Sequence, residues 1–201
     1  MFASTPLHHA SQRGNAVSEQ SAGRIMLGVA AVLFGVSVLQ SMLSPVLWLP
    51  GISHHSAFGF LAVLWAPLVT SGLGSLVVAL AWTVPIGFLA LRHLGVRHVA
   101  VITAVSWVVG GLALWMNASH LVYSGPYVVV AGWLGVLIAR RCFGTDKDGG
   151  TTATWLFLLF ALTLFFQTHA SVSGVAAHAI AAAAACGASW LVTTGGIRVR
   201  P

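Results

Sequence analysis

Apolar residues along this chain come in long blocks, and the polar residues between them come in short ones. Six blocks read as membrane-crossing helices, which need about 20 apolar residues, fewer or more with tilt. They are Ile25 to about Trp48, Leu73–Leu91, Val99–Met116, about Val122–Ala139, Ala153–Gln167 and Val172–Val192. The fifth is short, which predicts a thinned bilayer or ragged helix ends around it. Phe58–Val69 is also apolar, but its 12 residues are too few to span, and Pro50, Gly51 and Pro67 flank or interrupt it. Such a segment is expected to lie in the interface or to re-enter. The first 24 residues are polar and hold His8 and His9 but no apolar run. They read as a disordered tail, and the absence of an early apolar stretch argues against a cleaved signal peptide. Residues 194–201 form a second short tail, which leaves 25–193 as a single six-helix membrane domain.

Composition strengthens this reading. Of 201 residues, 58% are hydrophobic and 6% charged, and the mean hydropathy is +0.92. Soluble domains carry roughly a quarter charged residues, and disordered chains need low hydrophobicity, so both classes are excluded. The expected fold class is an all-α membrane protein. A pI near 10.8 rests on too few charges to build a nucleic-acid-binding face. Cys142 and Cys186 form neither a CxxC pair nor a disulfide framework. Eight Trp suit the aromatic belts at the two membrane interfaces.

The charges then orient the spans. With six spans and the N-terminus inside, the cytoplasmic segments hold Arg13, Glu19 and Arg24, then Arg92 and Arg97. The later ones hold Arg140, Arg141, Asp146, Lys147 and Asp148, then Arg198 and Arg200. That is every charge in the sequence, while the outer loops 49–72, 117–121 and 168–171 hold none. Cytoplasmic loops of membrane proteins carry the excess of Lys and Arg, so both termini are expected in the cytoplasm. A seventh span at Phe58–Val69 would move Arg92 and Arg97 outside. The short chain and polar N-terminus point to a bacterial plasma membrane.

Small residues are plentiful: Gly28 and Gly35, Gly72 and Gly74, Gly110 and Gly111, Gly132 and Gly135, and the run Ala181–Ala185. In lipid, helices associate where small residues let backbones approach, so these positions predict a compact bundle. No internal repeat supports an inverted-repeat transporter.

No Asp, Glu, Lys or Arg lies within a span, which removes most proton relays and carboxylate-coupled carriers. Histidine is the informative residue. His54 and His55 fall in the first outer loop, with no third metal ligand near them. His93 and His98 lie at the inner face, and His120 and His169 at the outer face. Only His178 lies well inside a helix, six residues in from Val172, or about 9 Å at 1.5 Å per residue. Ser124-Gly125-Pro126 opens the fourth span from the same side, so Ser124 and His178 are expected at one depth. A serine hydroxyl becomes a good nucleophile when a neutral imidazole takes its proton. Free N–H groups at a helix start can also receive a developing oxyanion. The plainer readings are an N-cap for Ser124 and a backbone-bonded membrane histidine for His178. Cys186 reads as a small buried filler. The sequon Asn117-Ala118-Ser119 matters only in a glycosylating host.

These residues resemble the rhomboid intramembrane serine proteases. Ser124-Gly125, with Gly132 eight residues past the serine and Arg140-Arg141 at the end, looks like the family's Gly-x-Ser-Gly helix. Ala177-His178-Ala179-Ile180-Ala181, with Ala185 beyond, looks like its Ala-His-x-x-Gly-x-x-x-Gly helix with alanine for both glycines. Phe58–Val69 sits like the family's first outer loop. The resemblance covers roughly residues 25–193 and implies a six-helix rhomboid-like bundle in which Ser124 is the nucleophile and His178 the general base. The implied substrate is a single-span membrane protein cleaved near the outer face, without cofactor or metal. The chain departs from the pattern at Val122, where the family has glycine. It departs again at Ser75-Leu76-Val77-Val78-Ala79, where the family's second span has a His-x-x-x-Asn pair that helps bind the oxyanion. Ser75, His120 and Asn117 are the residues available to substitute. A catalytically silent member that binds client transmembrane helices is the alternative. A small-solute transporter explains the spans but not the Ser124 and His178 pairing.

Overall fold

A computed structural model describes residues 17–43, 51–52, 57–117, 123–142, 154–163 and 172–193. Among these, all regular structure is helical. The helices are α1 (Glu19–Leu43), α2 (Ala57–Ala62), α3 (Leu73–Leu94), α4 (Val96–Asn117) and α5 (Tyr127–Cys142). They are followed by α6 (Thr154–Thr163) and α7 (Val172–Thr193). Four of them (α1, α3, α4 and α7) are long and apolar enough to cross a membrane, as in a multi-pass membrane protein, whereas α5 and α6 are shorter apolar helices. The segment expected not to span breaks into α2 and a 3-10 turn, Ala66–Leu68, with Pro67 in its first turn.

Two boundaries differ from the sequence reading. Helix α1 begins at Glu19 rather than Ile25, so the last residues of the stretch read as disordered tail are helical. The Ser18 hydroxyl caps this start by accepting from the Ser21 N–H at 3.2 Å, and Glu19 adds an ion pair with Arg92 at the end of α3, which also lies over the Phe88 ring at 5.9 Å. The fourth apolar stretch becomes helical at Tyr127 rather than Val122, because Tyr123 exchanges backbone hydrogen bonds with Ile52 (2.8 and 3.1 Å). Val122 itself, His54, His55, His120 and His169 lie outside the described residues, as does most of the first tail.

Charge separates the two ends of the bundle. Glu19 and Arg92 meet at one end, and there Arg140 Nη1 donates to the His93 carbonyl at 2.7 Å. Gly95 joins α3 to α4 at this end with φ 79°, a left-handed geometry that glycine takes without Cβ strain. The Ile52–Tyr123 pairing and the start of α5 lie at the opposite, uncharged end.

The core is a three-helix contact. A Cβ at Gly110 of α4 would sit 2.8 Å from the Val128 Cβ of α5 and 2.9 Å from the Ala181 Cβ of α7. One turn further along, a Cβ at Gly132 of α5 would overlap Ser106 Oγ of α4 and lie 3.3 Å from the Ala185 Cβ of α7. Gly135 is equally close to Ala182, at 2.8 Å from its Cβ. These rungs show that α5 and α7 run parallel and α4 antiparallel to both. Gly111 meets Val63 of the loop after α2, at 2.6 Å. The other expected packing glycines behave differently. A Cβ at Gly28, Gly35, Gly72 or Gly74 would meet nothing within 4 Å among the described residues.

Candidate functional site

The candidate site lies at the uncharged end of the three-helix core. Helix α5 spans 16 residues against 22 for α4 and α7, so it is about 9 Å shorter. Its C-terminal end is held at the charged end through Arg140 and His93, near where α4 begins. The shortfall therefore falls at the other end, so Tyr127 starts about 9 Å below the far end of α4 and Ser124, three residues ahead of it, lies within that recess. His178 lies six residues into α7 from the same end, again about 9 Å. The rungs agree: Val128 meets Ala181, and the preceding turns lead to Ser124 and to Ala177–His178.

The local backbone around Ser124 is tightly specified. The Pro126 carbonyl accepts from Val129 and Val130 N–H, both at 3.0 Å, so Pro126 caps α5. Ser124 lies two residues ahead of that cap, slightly further out than the cap position expected from the sequence. Gly125 has φ 102°, and a Cβ there would come within 2.7 Å of the Tyr127 ring; only glycine fits. Its N–H donates to the Ala66 carbonyl at 2.8 Å, tying the Ser124 segment to the 3-10 turn. Sequence reasoning missed Ala66, which carries no signal of its role, and Tyr127, whose position after a proline at a helix start is the only hint.

His178 is 5% exposed, and its Nδ1 lies 2.7 Å from the Gly174 carbonyl. A carbonyl only accepts, so Nδ1 carries the proton, and in the neutral ring Nε2 holds the lone pair. This is the backbone-bonded histidine foreseen as the plainer reading, and it is also the tautomer a general base requires. No hydrogen bond joins Ser124 Oγ to His178 Nε2 among the described residues. Such bonds are often long before substrate binds.

The oxyanion candidates divide. Ser75, in the first turns of α3, exchanges a hydroxyl contact with Ser71 at 3.0 Å, and its carbonyl lies 3.5 Å from the Tyr127 hydroxyl. Ser75 is therefore close to the start of α5, with its hydroxyl in contact with that of Ser71. The side chain of Asn117, like His120, lies outside the described residues. The Ser124 N–H donates to no protein atom among the described residues, and the Tyr123 hydroxyl is buried without a hydrogen-bond partner. Groups of three metal-binding side chains are absent among the described residues. No protein-family model matches this chain, and no curated protein matches it.

Proposed function

We propose that this protein is a six-span intramembrane serine endopeptidase of the rhomboid kind, with both termini and the charged end of the bundle in the cytoplasm of a bacterial plasma membrane. Ser124 is the nucleophile and His178 the base, and the substrate is a single-span membrane protein cleaved near the outer face. One observation carries the reading: a buried histidine whose Nδ1–H is fixed on the Gly174 carbonyl, near the depth of Ser124, just ahead of the shortened α5. His178 Nε2 takes the Ser124 proton as Oγ attacks the scissile carbonyl and returns it to the leaving amine. The oxyanion takes a hydrogen bond from the Ser124 N–H, since the Gly125 N–H is held by the Ala66 carbonyl and Ser75 Oγ is in contact with Ser71 Oγ. Water reaches the site through the recess above α5.

Those two engaged donors favour a second reading, a catalytically silent rhomboid-like protein that holds client helices. Loss of one oxyanion donor costs about 3 to 4 kcal/mol, and this end of the molecule has no side-chain pair replacing the family's His and Asn among the described residues.

Labelling of the detergent-purified protein with a fluorophosphonate separates the two. The protease reading expects labelling of the wild type and its loss in both Ser124→Ala and His178→Ala. Cleavage of a single-span reporter should fall by a factor on the order of 10⁶, as when one member of a nucleophile–base pair is removed. A folded wild type that neither labels nor cleaves, yet captures single-span helices equally well as Ser124→Ala, establishes the silent reading instead.

A further inference from the structure

A cavity of about 430 Å³ lies behind the Ser124 segment, walled by α1 on one side and by α3, α4, α5 and the 3-10 turn on the other. That volume is within the range of about 300 to 1,000 Å³ for built ligand sites. On α1 it runs from Ile25 to Leu33 and on α5 from Pro126 to Trp133, so it extends about 12 Å along the helix axes. At that length it covers less than half of the roughly 30 Å hydrocarbon core, which suits part of one hydrocarbon chain and not a spanning helix.

The wall offers almost nothing polar. The Trp107 indole N–H is fixed on the Val63 carbonyl at 2.7 Å, and the Trp133 indole N–H on Thr103 Oγ1 at 2.9 Å. Both large aromatics therefore present hydrocarbon to the cavity. Helix α1 packs on α3 and on the 3-10 turn, and the face of Gly28 that borders the cavity meets no neighbour within 4 Å. Helices α1, α3 and α4 around it are long enough to cross a bilayer, so the medium beside α1 is lipid, and an empty apolar channel of this size forfeits dispersion contacts along its whole lining.

We propose that this channel holds one acyl chain of a bilayer phospholipid, which packs between α1 and the α4–α5 core. The chain runs parallel to the helices and reaches Pro126 and Leu68, behind the Ser124 segment. The proposal is independent of whether Ser124 is catalytic.

Native mass spectrometry after reconstitution into dioleoyl phosphatidylglycerol vesicles and detergent extraction tests it. The wild type is expected to retain one phospholipid. An excess of dihexanoyl phosphatidylglycerol, with the same headgroup and short chains, should not displace it, whereas a second long-chain lipid should. In Gly28→Leu, whose new side chain fills the channel, and in Leu68→Trp, which narrows its top, retention should fall about tenfold or more. Gly35→Leu, on the same helix but outside the channel, should retain the lipid as the wild type does. A wild type that keeps only detergent, displacement by the short-chain lipid, or full retention in both channel variants would overturn it. If Gly28→Leu does not fold, Leu68→Trp and the chain-length competition decide.

Discussion

The α4–α5–α7 contact and the flanking helices α1 and α6 are made of similar residues, yet they are held in different ways. In the three-helix contact, glycine faces alanine, valine or serine at distances no larger side chain tolerates. On α1 and α6 the contacts are made by large side chains. Phe160 of α6 stacks edge-on against Trp82 of α3 at 5.4 Å, while Trp155, Leu158, Leu159 and Leu162 of α6 remain exposed. Lipid tails are as apolar as leucine, so burying large apolar side chains gives helices little reason to associate in a bilayer, whereas close backbone approach does. The candidate dyad is carried by the tightly packed helices.

That contrast is broken most directly at Gly132. A leucine there must displace Ser106 Oγ and the Ala185 methyl together, and both belong to helices packed on either side. Overpacking of a tight interior costs about 1 to 3 kcal/mol, occasionally more, and here the upper end applies because two helices must separate. Unfolding of Gly132→Leu titrated with a denaturing detergent should show a loss of about 3 kcal/mol or failure to fold. An unchanged transition would mean the three-helix contact is not the stabilising centre.

The flanking side gives smaller effects. Phe160→Ala removes a buried ring at the α6–α3 contact. In water such a truncation costs about 3 to 5 kcal/mol, but lipid can refill the space, so the expected loss is nearer the aromatic pairing energy of about 0.5 to 1.5 kcal/mol. The same unfolding titration measures it, and a loss as large as the Gly132→Leu value would erase the distinction. Smaller still is Ser37→Ala. Ser37 Oγ and Thr70 Oγ1 share a buried hydrogen bond of 2.8 Å between α1 and the segment after the 3-10 turn. Hydrogen bonds between membrane helices average about 0.6 kcal/mol, and a double-mutant cycle with Thr70→Val should return a coupling of that size.

The sequence made the apolar blocks legible because their length is set by the bilayer, and it made the short Phe58–Val69 segment legible for the same reason. Helix rise converts residue counts to distance, which is why the sequence alone suggests similar depths for Ser124 and His178. The start at Glu19 does carry a local signal, the capping serine Ser18. The boundary at Tyr127 was not readable, because it is fixed by a partner far along the chain, Ile52. Nor could the sequence separate Gly110, Gly132 and Gly135 from Gly28 and Gly35, because glycine spacing says a helix can be approached closely but not whether another helix does so. The engagement of Gly125 N–H by the Ala66 carbonyl is equally silent in the sequence, since it joins backbone to backbone.

Gly35 is therefore the sharpest small test of the comparison. It lies on α1 with a spacing to Gly28 that reads as a packing motif, yet a Cβ there would meet nothing within 4 Å. Gly35→Leu should leave the detergent-unfolding transition in place or raise it by up to about 1 kcal/mol, the helix-propensity gain over glycine. Any gain comes from the reduced backbone freedom of the unfolded chain, since no neighbouring side chain is there to contribute. A loss approaching that of Gly132→Leu would show that α1 has a helix partner at this face, and the division between tightly and loosely packed helices would have to be redrawn to include it.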